Sequence, residues 1–149
     1  MTRTPIVLVV NDDAAVRDSL RMLLEYEGMI LHPVGDAASG LRRMRETLYD
    51  LLIIDAGMPG GVELIGWIRS GATEGDKRAT LRTVPIILWS GGKSAIQVRE
   101  VLASVDWFVG KPVLSEDLVG MIFRLVPSPR LRPATAALRY APSAHADWT

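Results

Sequence analysis

Five short apolar runs punctuate the chain, and each ends on polar or glycine-containing residues. Ile6–Val10 runs into Asn11-Asp12-Asp13, residues 29–31 precede Pro33, and residues 51–54 end on Asp55. Residues 84–89 end on Ser90-Gly91-Gly92, and residues 107–109 end on Gly110-Lys111-Pro112. Apolar runs without alternation predict strands buried on both faces, as in a parallel sheet covered by helices. The intervening segments carry the helical period instead. Residues 14–27 place Val16, Leu20, Leu23 and Leu24 on one face, with Gly28 positioned to cap the end. Asp36 is placed to N-cap a second helix with a stripe of Ala37, Leu41, Met44 and Leu48. Residues 62–68 predict a short third helix with Ile65 and Ile68 inward, and residues 94–103 a fourth. Ser115 is placed to cap a fifth, with Glu116 and Asp117 in its first turn and Leu118, Met121, Ile122 and Leu125 on its apolar side.

The alternation is (βα)5. It predicts an α/β fold: a doubly wound, five-stranded parallel sheet with helices on both faces. The strand of residues 29–31 belongs near an edge because proline follows. Residues 70–83 read as an exposed connection. From residue 126 prolines recur among Ala, Ser and Arg, so the expected division is a domain over residues 1–125 and a flexible tail over 126–149.

Composition narrows the function classes. The formal charge is zero, so nothing points to a nucleic-acid surface or a polyanion. There is no cysteine and only two histidines, which excludes a disulfide scaffold and thiolate metal sites and argues against zinc. The start of the chain resembles neither a signal peptide nor a membrane span, and the cysteine-free composition fits a cytoplasmic protein.

In an open parallel sheet the carboxyl ends of the strands form the crevice where ligands bind. Here those ends bring Asn11 and Asp12, Asp55, Ser90 and Lys111 to one edge. Two carboxylates suit a hard cation such as Mg2+, whose shell waters and phosphate oxygens complete. A hydroxyl and an ammonium suit phosphoryl oxygens, and a carboxylate can itself take the phosphoryl group. Each residue also has an ordinary structural reading. Asp12 could cap the first helix, Ser90 could belong to a strand-to-helix turn, Lys111 could be a solvated lysine and Phe108 could be core. Asp13 reads as a helix-start acid without a site role.

Over about residues 5–125 the chain resembles the receiver domain of two-component response regulators, the CheY-like branch of the flavodoxin-like three-layer folds. The resemblance rests on four motifs in order: a strand into an acid pair, a strand into Asp55-Ala-Gly-Met58-Pro59, a strand into Ser90 and a small residue, and a strand into Lys111-Pro112. It implies that Asp55 is phosphorylated by a histidine kinase, a phosphotransfer protein or a small phosphodonor, in a reaction that needs Mg2+ or Mn2+. Asp12, Asp55 and the Gly57 carbonyl would hold the metal, and Asn11 would reach it weakly through water. Ser90 and Lys111 would bind phosphoryl oxygens, and Phe108 would be the switch aromatic moving with Ser90. The Lys111-Pro112 bond is cis in that family. Output would pass through the last two strands and the fourth and fifth helices to another protein, with homodimerisation open and neither nucleic acid nor membrane contacted directly. Such a chain assists its own phosphorylation and dephosphorylation rather than turning over a substrate.

The chain departs from the pattern in two places. Asn11 stands where the family usually has an acid, which predicts weakened Mg2+ affinity. The loop Gly60-Gly61-Val62 is two residues shorter than usual, so the third helix should begin early or be short. Two other readings stay open: a phosphorylation-independent receiver-like module, of which Asn11 would be the first sign, and an enzyme on a similar sheet. Gly57 stands where a haloacid-dehalogenase-type phosphatase needs a second acid. Asn11-Asp12-Asp13 would repel a flavin phosphate.

Overall fold

The computed structural model describes residues 4–75, 77–90, 101–110 and 115–126. Five strands, β1 (Ile6–Val10), β2 (Ile30–Val34), β3 (Leu51–Asp55), β4 (Ile86–Ser90) and β5 (Trp107–Gly110), form one parallel sheet in the order β2-β1-β3-β4-β5. Helices α1 (Ala14–Tyr26), α2 (Ala37–Glu46) and α3 (Gly61–Arg69) connect them, and a C-terminal helix spans Ser115–Leu125. This is the flavodoxin-like arrangement, whose strand order reverses beside β1.

The uninterrupted apolar strands have the predicted cause. Successive side chains of one strand point to opposite faces, and each face carries its own core. Leu8, Val10, Leu52, Ile54, Ile86 and Leu88 pack with Ala37, Met44, Leu64, Ile65 and Ile68 of α2 and α3. Val7, Val9, Leu51, Ile53, Ile87 and Trp89 pack with Leu20 and Leu24 of α1 and with Leu118, Met121 and Ile122 of the C-terminal helix. β3 lies in the middle with all five residues buried, which places Asp55 at the centre of the carboxyl edge.

Several boundaries differ from expectation. β2 starts one residue later than predicted and continues through Pro33 to Val34. Among the described residues it pairs only with β1, so a proline without an N–H fits its open side. Gly28 ends α1 with φ of 87°, a left-handed conformation that glycine adopts without strain. α3 begins at Gly61 and has nine residues, as the shortened loop predicts.

The segment of residues 70–83 is not simply exposed. Thr73, Ala79 and Thr80 are buried. The Thr80 hydroxyl donates to the Thr47 carbonyl at 2.6 Å and accepts from the Tyr49 amide at 3.1 Å. Thr73 Oγ1 donates to the Thr80 carbonyl at 2.6 Å. Hydroxyls that pair with backbone groups can be buried at little cost, which a hydropathy reading misses. Arg69, at the end of α3, ties this segment to the next strands. Its guanidinium donates to the carbonyls of Ser104, Arg82 and Val84 at 2.7, 2.7 and 2.6 Å and to Asp106 at 3.2 Å. Of the predicted fourth helix, residues 94–100 lie outside the described residues, and Leu102–Ser104 forms a 3-10 turn. The expected tail beyond residue 126 also lies outside them.

Candidate functional site

The register of the sheet brings the site together. Val10 pairs with Ile54, so the next residues, Asn11 and Asp55, leave neighbouring strands side by side. Asp55 in turn pairs with Trp89, and Ser90 follows. Asn11, Asp55 and Ser90 are almost fully buried, at 2%, 4% and 2% exposure. A carboxylate so buried, at the one sheet edge where a crevice forms, is an unusual core choice and marks a functional candidate.

The two acids after Asn11 divide their tasks. Asp13 caps α1, with Oδ1 accepting from the amides of Ala15 at 2.9 Å and Val16 at 3.4 Å. The capping alternative for Asp12 therefore falls to its neighbour. Asp12 is exposed beside the crevice. Asn11 Oδ1 accepts from the Asp13 amide at 2.8 Å, and the donor identifies the carboxamide oxygen. Its own carbonyl accepts from Arg17 Nη1 at 2.7 Å and its amide donates to the Val34 carbonyl at 3.1 Å. The acidic turn is thus fixed on both sides. Arg17 is a residue that helical spacing did not single out; only its place one turn after Asp13 hints at it.

Beyond Asp55 the chain turns tightly. Asp55 Oδ1 accepts from the Gly57 amide at 2.9 Å. A Cβ on Gly57 would lie 3.4 Å from that oxygen, so a larger side chain there would lean over the carboxylate. Gly60 has φ of 78°, and a Cβ on Gly61 would collide with the Asp55 carbonyl oxygen. The short Gly-Gly loop therefore lets α3 start directly against the backbone of Asp55. Gly61 is a positioning residue that the sequence reading noted only for loop length.

Ser90 ends β4 opposite Gly110 of β5. Phe108 lies opposite Leu88, half-buried against the core shared with α2 and α3. Gly91, Gly92, Lys111 and Pro112 lie outside the described residues, so the expectations for Lys111 and the cis bond are not addressed by the structure.

Among the described residues no group of three or more His, Cys, Asp or Glu side chains forms a metal cluster. Two carboxylates plus a backbone carbonyl do not form such a group, yet they suit Mg2+, which is commonly held by one or two carboxylates with waters and phosphate oxygens. The oxygen-only donor set of Asp12, Asp55 and Gly57 thus fits a hard divalent cation. Among the described residues no helix is long and apolar enough to cross a membrane.

Comparison with known proteins agrees with this geometry. Residues 7–123 match the family model described as response regulator receiver domain. The two-component response regulator PhoP of Pseudomonas aeruginosa is 35% identical over 115 residues, covering 75% of this chain and 47% of that protein. The chain spans about half the length of the curated relatives it matches. A CheY-like receiver domain protein from Methanospirillum hungatei is similar in structure, with a TM-score of 0.70, 25% identity and coverage of 82% and 93% of the two chains. The response regulator TrrA of Thermotoga maritima, solved in complex with Mg(2+)-BeF, gives a TM-score of 0.67 at 26% identity and covers 83% and 100%. The strand order, the buried acid at the centre of the carboxyl edge and the matching family model together establish that the chain belongs to the response regulator receiver domains of two-component systems.

Proposed function

We propose that this receiver accepts a phosphoryl group on Asp55. The supporting observation is the burial of Asp55 at the end of β3, flanked in register by Asn11 and Ser90, where Asn11 leads into an acid turn whose Asp12 is not consumed as the helix cap. A carboxylate oxygen of Asp55 forms the new P–O bond. The P–N bond of a phosphohistidine, or the acyl P–O bond of a small phosphodonor, breaks, and the imidazole or carboxylate leaves.

Asp12, Asp55 and the Gly57 carbonyl would hold Mg2+ or Mn2+. The bound cation would neutralise charge on the phosphoryl oxygens. Ser90 donates to one phosphoryl oxygen and Lys111 pairs with another. Gly57 and Gly61 keep the Asp55 carboxylate in place, one through its amide and the other by leaving room for the Asp55 carbonyl. The phosphoryl group biases the positions of Ser90 and Phe108, and the β4-β5 side with its helices carries the signal to a partner protein. Relatives named as transcriptional regulatory proteins are matched over only 44% and 54% of their length. The donor is a histidine kinase or phosphotransfer protein, the setting is the cytoplasm, and homodimerisation through the same side is compatible with this reading.

Intact mass after incubation with acetyl phosphate and Mg2+ tests the proposal. One added phosphoryl is expected, absent from Asp55→Asn and from a metal-free sample. No adduct from folded protein, beside a receiver that is labelled in parallel, would overturn it in favour of a phosphorylation-independent module.

A further inference from the structure

On the face of the sheet shared by α1 and the C-terminal helix, Trp89 carries an indole N–H that is buried and has no hydrogen-bond partner. Trp89 itself is only 9% exposed. An unpaired buried donor has already lost its water, so covering the indole costs no further desolvation of its N–H. Trp89 also lines an open cavity of about 290 Å3, whose other walls are Ala15, Val16, Ser19, Leu20 and Leu23 of α1 and Leu118 of the C-terminal helix. The walls are apolar except for the Ser19 hydroxyl and the indole. The occupant they fit has a compact aliphatic side chain.

The chain carries such a segment. Residues 127–149 lie outside the described structure, and their sequence places Pro127, Pro129 and Pro133 before a proline-free stretch, residues 134–141. In that stretch Ala134, Ala137, Leu138 and Ala141 recur at helical spacing, so one face presents a single leucine among alanines. Pro142 ends the stretch. The reach is sufficient. Leu118 lies eight residues before Val126, about 12 Å along the helix. The seven residues 127–133 span about 20 Å when extended in the manner of proline-rich chains.

Charge complements shape. Residues 127–149 hold Arg130, Arg132 and Arg139 against a single Asp147, whereas residues 1–126 hold fourteen basic and sixteen acidic residues. Asp18 on α1 and Glu116 at the start of the C-terminal helix are exposed beside residues that line the cavity.

We propose that residues 134–141 of this chain dock in the groove between α1 and the C-terminal helix, with Leu138 in the cavity against the Trp89 indole. The inference does not depend on phosphorylation of Asp55, and its test uses no phosphodonor. Because the chain has no cysteine, a full-length Ser19→Cys, Leu138→Cys variant carries a unique pair of thiols. In dilute solution it should form an intramolecular disulfide at least tenfold faster than Arg45→Cys, Leu138→Cys, whose first thiol stands on α2 across the sheet. Leu138→Asp in the full chain should lower Tm by about 3 °C, as expected for a lost buried side chain in a domain of this size. Equal rates for the two pairs, disulfides formed only between molecules, or an unchanged Tm in Leu138→Asp would each overturn the proposal. Disulfides formed only between molecules would assign the cavity to a second copy instead.

Discussion

Replacing Asn11 by aspartate isolates the electrostatics of the site, because it changes one charge and keeps the local geometry. The new carboxylate still accepts from the Asp13 amide, as Asn11 Oδ1 does at 2.8 Å. Asn11 and Asp55 leave adjacent strands in register, and neighbouring strands lie about 5 Å apart. Two unit charges at about 5 Å repel by about 3 kcal/mol at an effective dielectric near 20. Both positions are almost fully buried, so solvent screens this pair less than a surface pair. Asn11→Asp should therefore lower stability without metal by about 1–3 kcal/mol, read from urea unfolding. A divalent cation reverses the sign. Its attraction to the added charge has a ceiling of about 6 kcal/mol on the same arithmetic, which an intervening water and screening reduce to about 1.4–3 kcal/mol. Mg2+ should thus bind about 10- to 100-fold tighter and restore the lost stability. Tryptophan emission follows the titration, since Trp89 is the register partner of Asp55. Asn11→Ala is the control. It strands the Asp13 amide at a cost of about 1–2 kcal/mol and gives no gain in affinity. If Asn11→Asp is as stable as the parent without metal and binds Mg2+ no better, residue 11 does not sense the charge at Asp55, and the proposed metal position is wrong.

Other perturbations follow from single contacts. Arg69→Ala removes donors to three carbonyls and to Asp106 from a side chain 23% exposed, and should cost about 2–4 kcal/mol in urea unfolding. Arg69→Lys should recover less than half of that, because one ammonium cannot reproduce the planar fork; full recovery would mean that charge alone matters. Gly61→Ala should cost about 1–3 kcal/mol and slow labelling of Asp55 by acetyl phosphate, since the added methyl must displace either α3 or the Asp55 carbonyl. An unchanged labelling rate would remove Gly61 from the positioning of that residue. His32 on β2 sits 2.7 Å from the Tyr49 hydroxyl, and burial, then the charges of Arg43 and Arg21, hold its pKa below the usual histidine value. The unfolded chain therefore takes up the proton first, so stability should fall as pH drops below about 6.5 and level off below the folded pKa. His32→Gln should flatten that slope, and a slope that survives the substitution would assign it to other groups.

What the sequence disclosed, and what it withheld, follows from where polar groups find partners. The three inner strands β1, β3 and β4 were legible because burial on both faces leaves no room for alternation, and β3 ends on Asp55. The caps at Asp36 and Gly28 were legible for a similarly local reason: each is satisfied within a few residues. Residues 70–83 are a largely exposed connection as expected, but the buried part was not legible, because Thr73 and Thr80 are polar in composition and bond to backbone groups, one of them more than thirty residues away. Arg69 escaped for the same reason, since its partners come from two separate stretches, residues 82–84 and 104–106. At the site, the sequence placed Asn11, Asp12 and Asp13 together but left open which acid capped α1. One amide geometry decides that: Asp13 faces the first turn, and Asn11 accepts from the Asp13 amide. The asparagine then takes on a second meaning. In the sequence it stood only for a lost charge, whereas in the fold its oxygen is the brace of the acidic turn. A carboxylate could serve as that brace as well as an amide, so bracing alone does not account for asparagine. What distinguishes the two is charge beside a buried Asp55. At the proposed metal site an amide would hold the acids at lower electrostatic cost when no cation is bound, and the loss would fall on cation affinity.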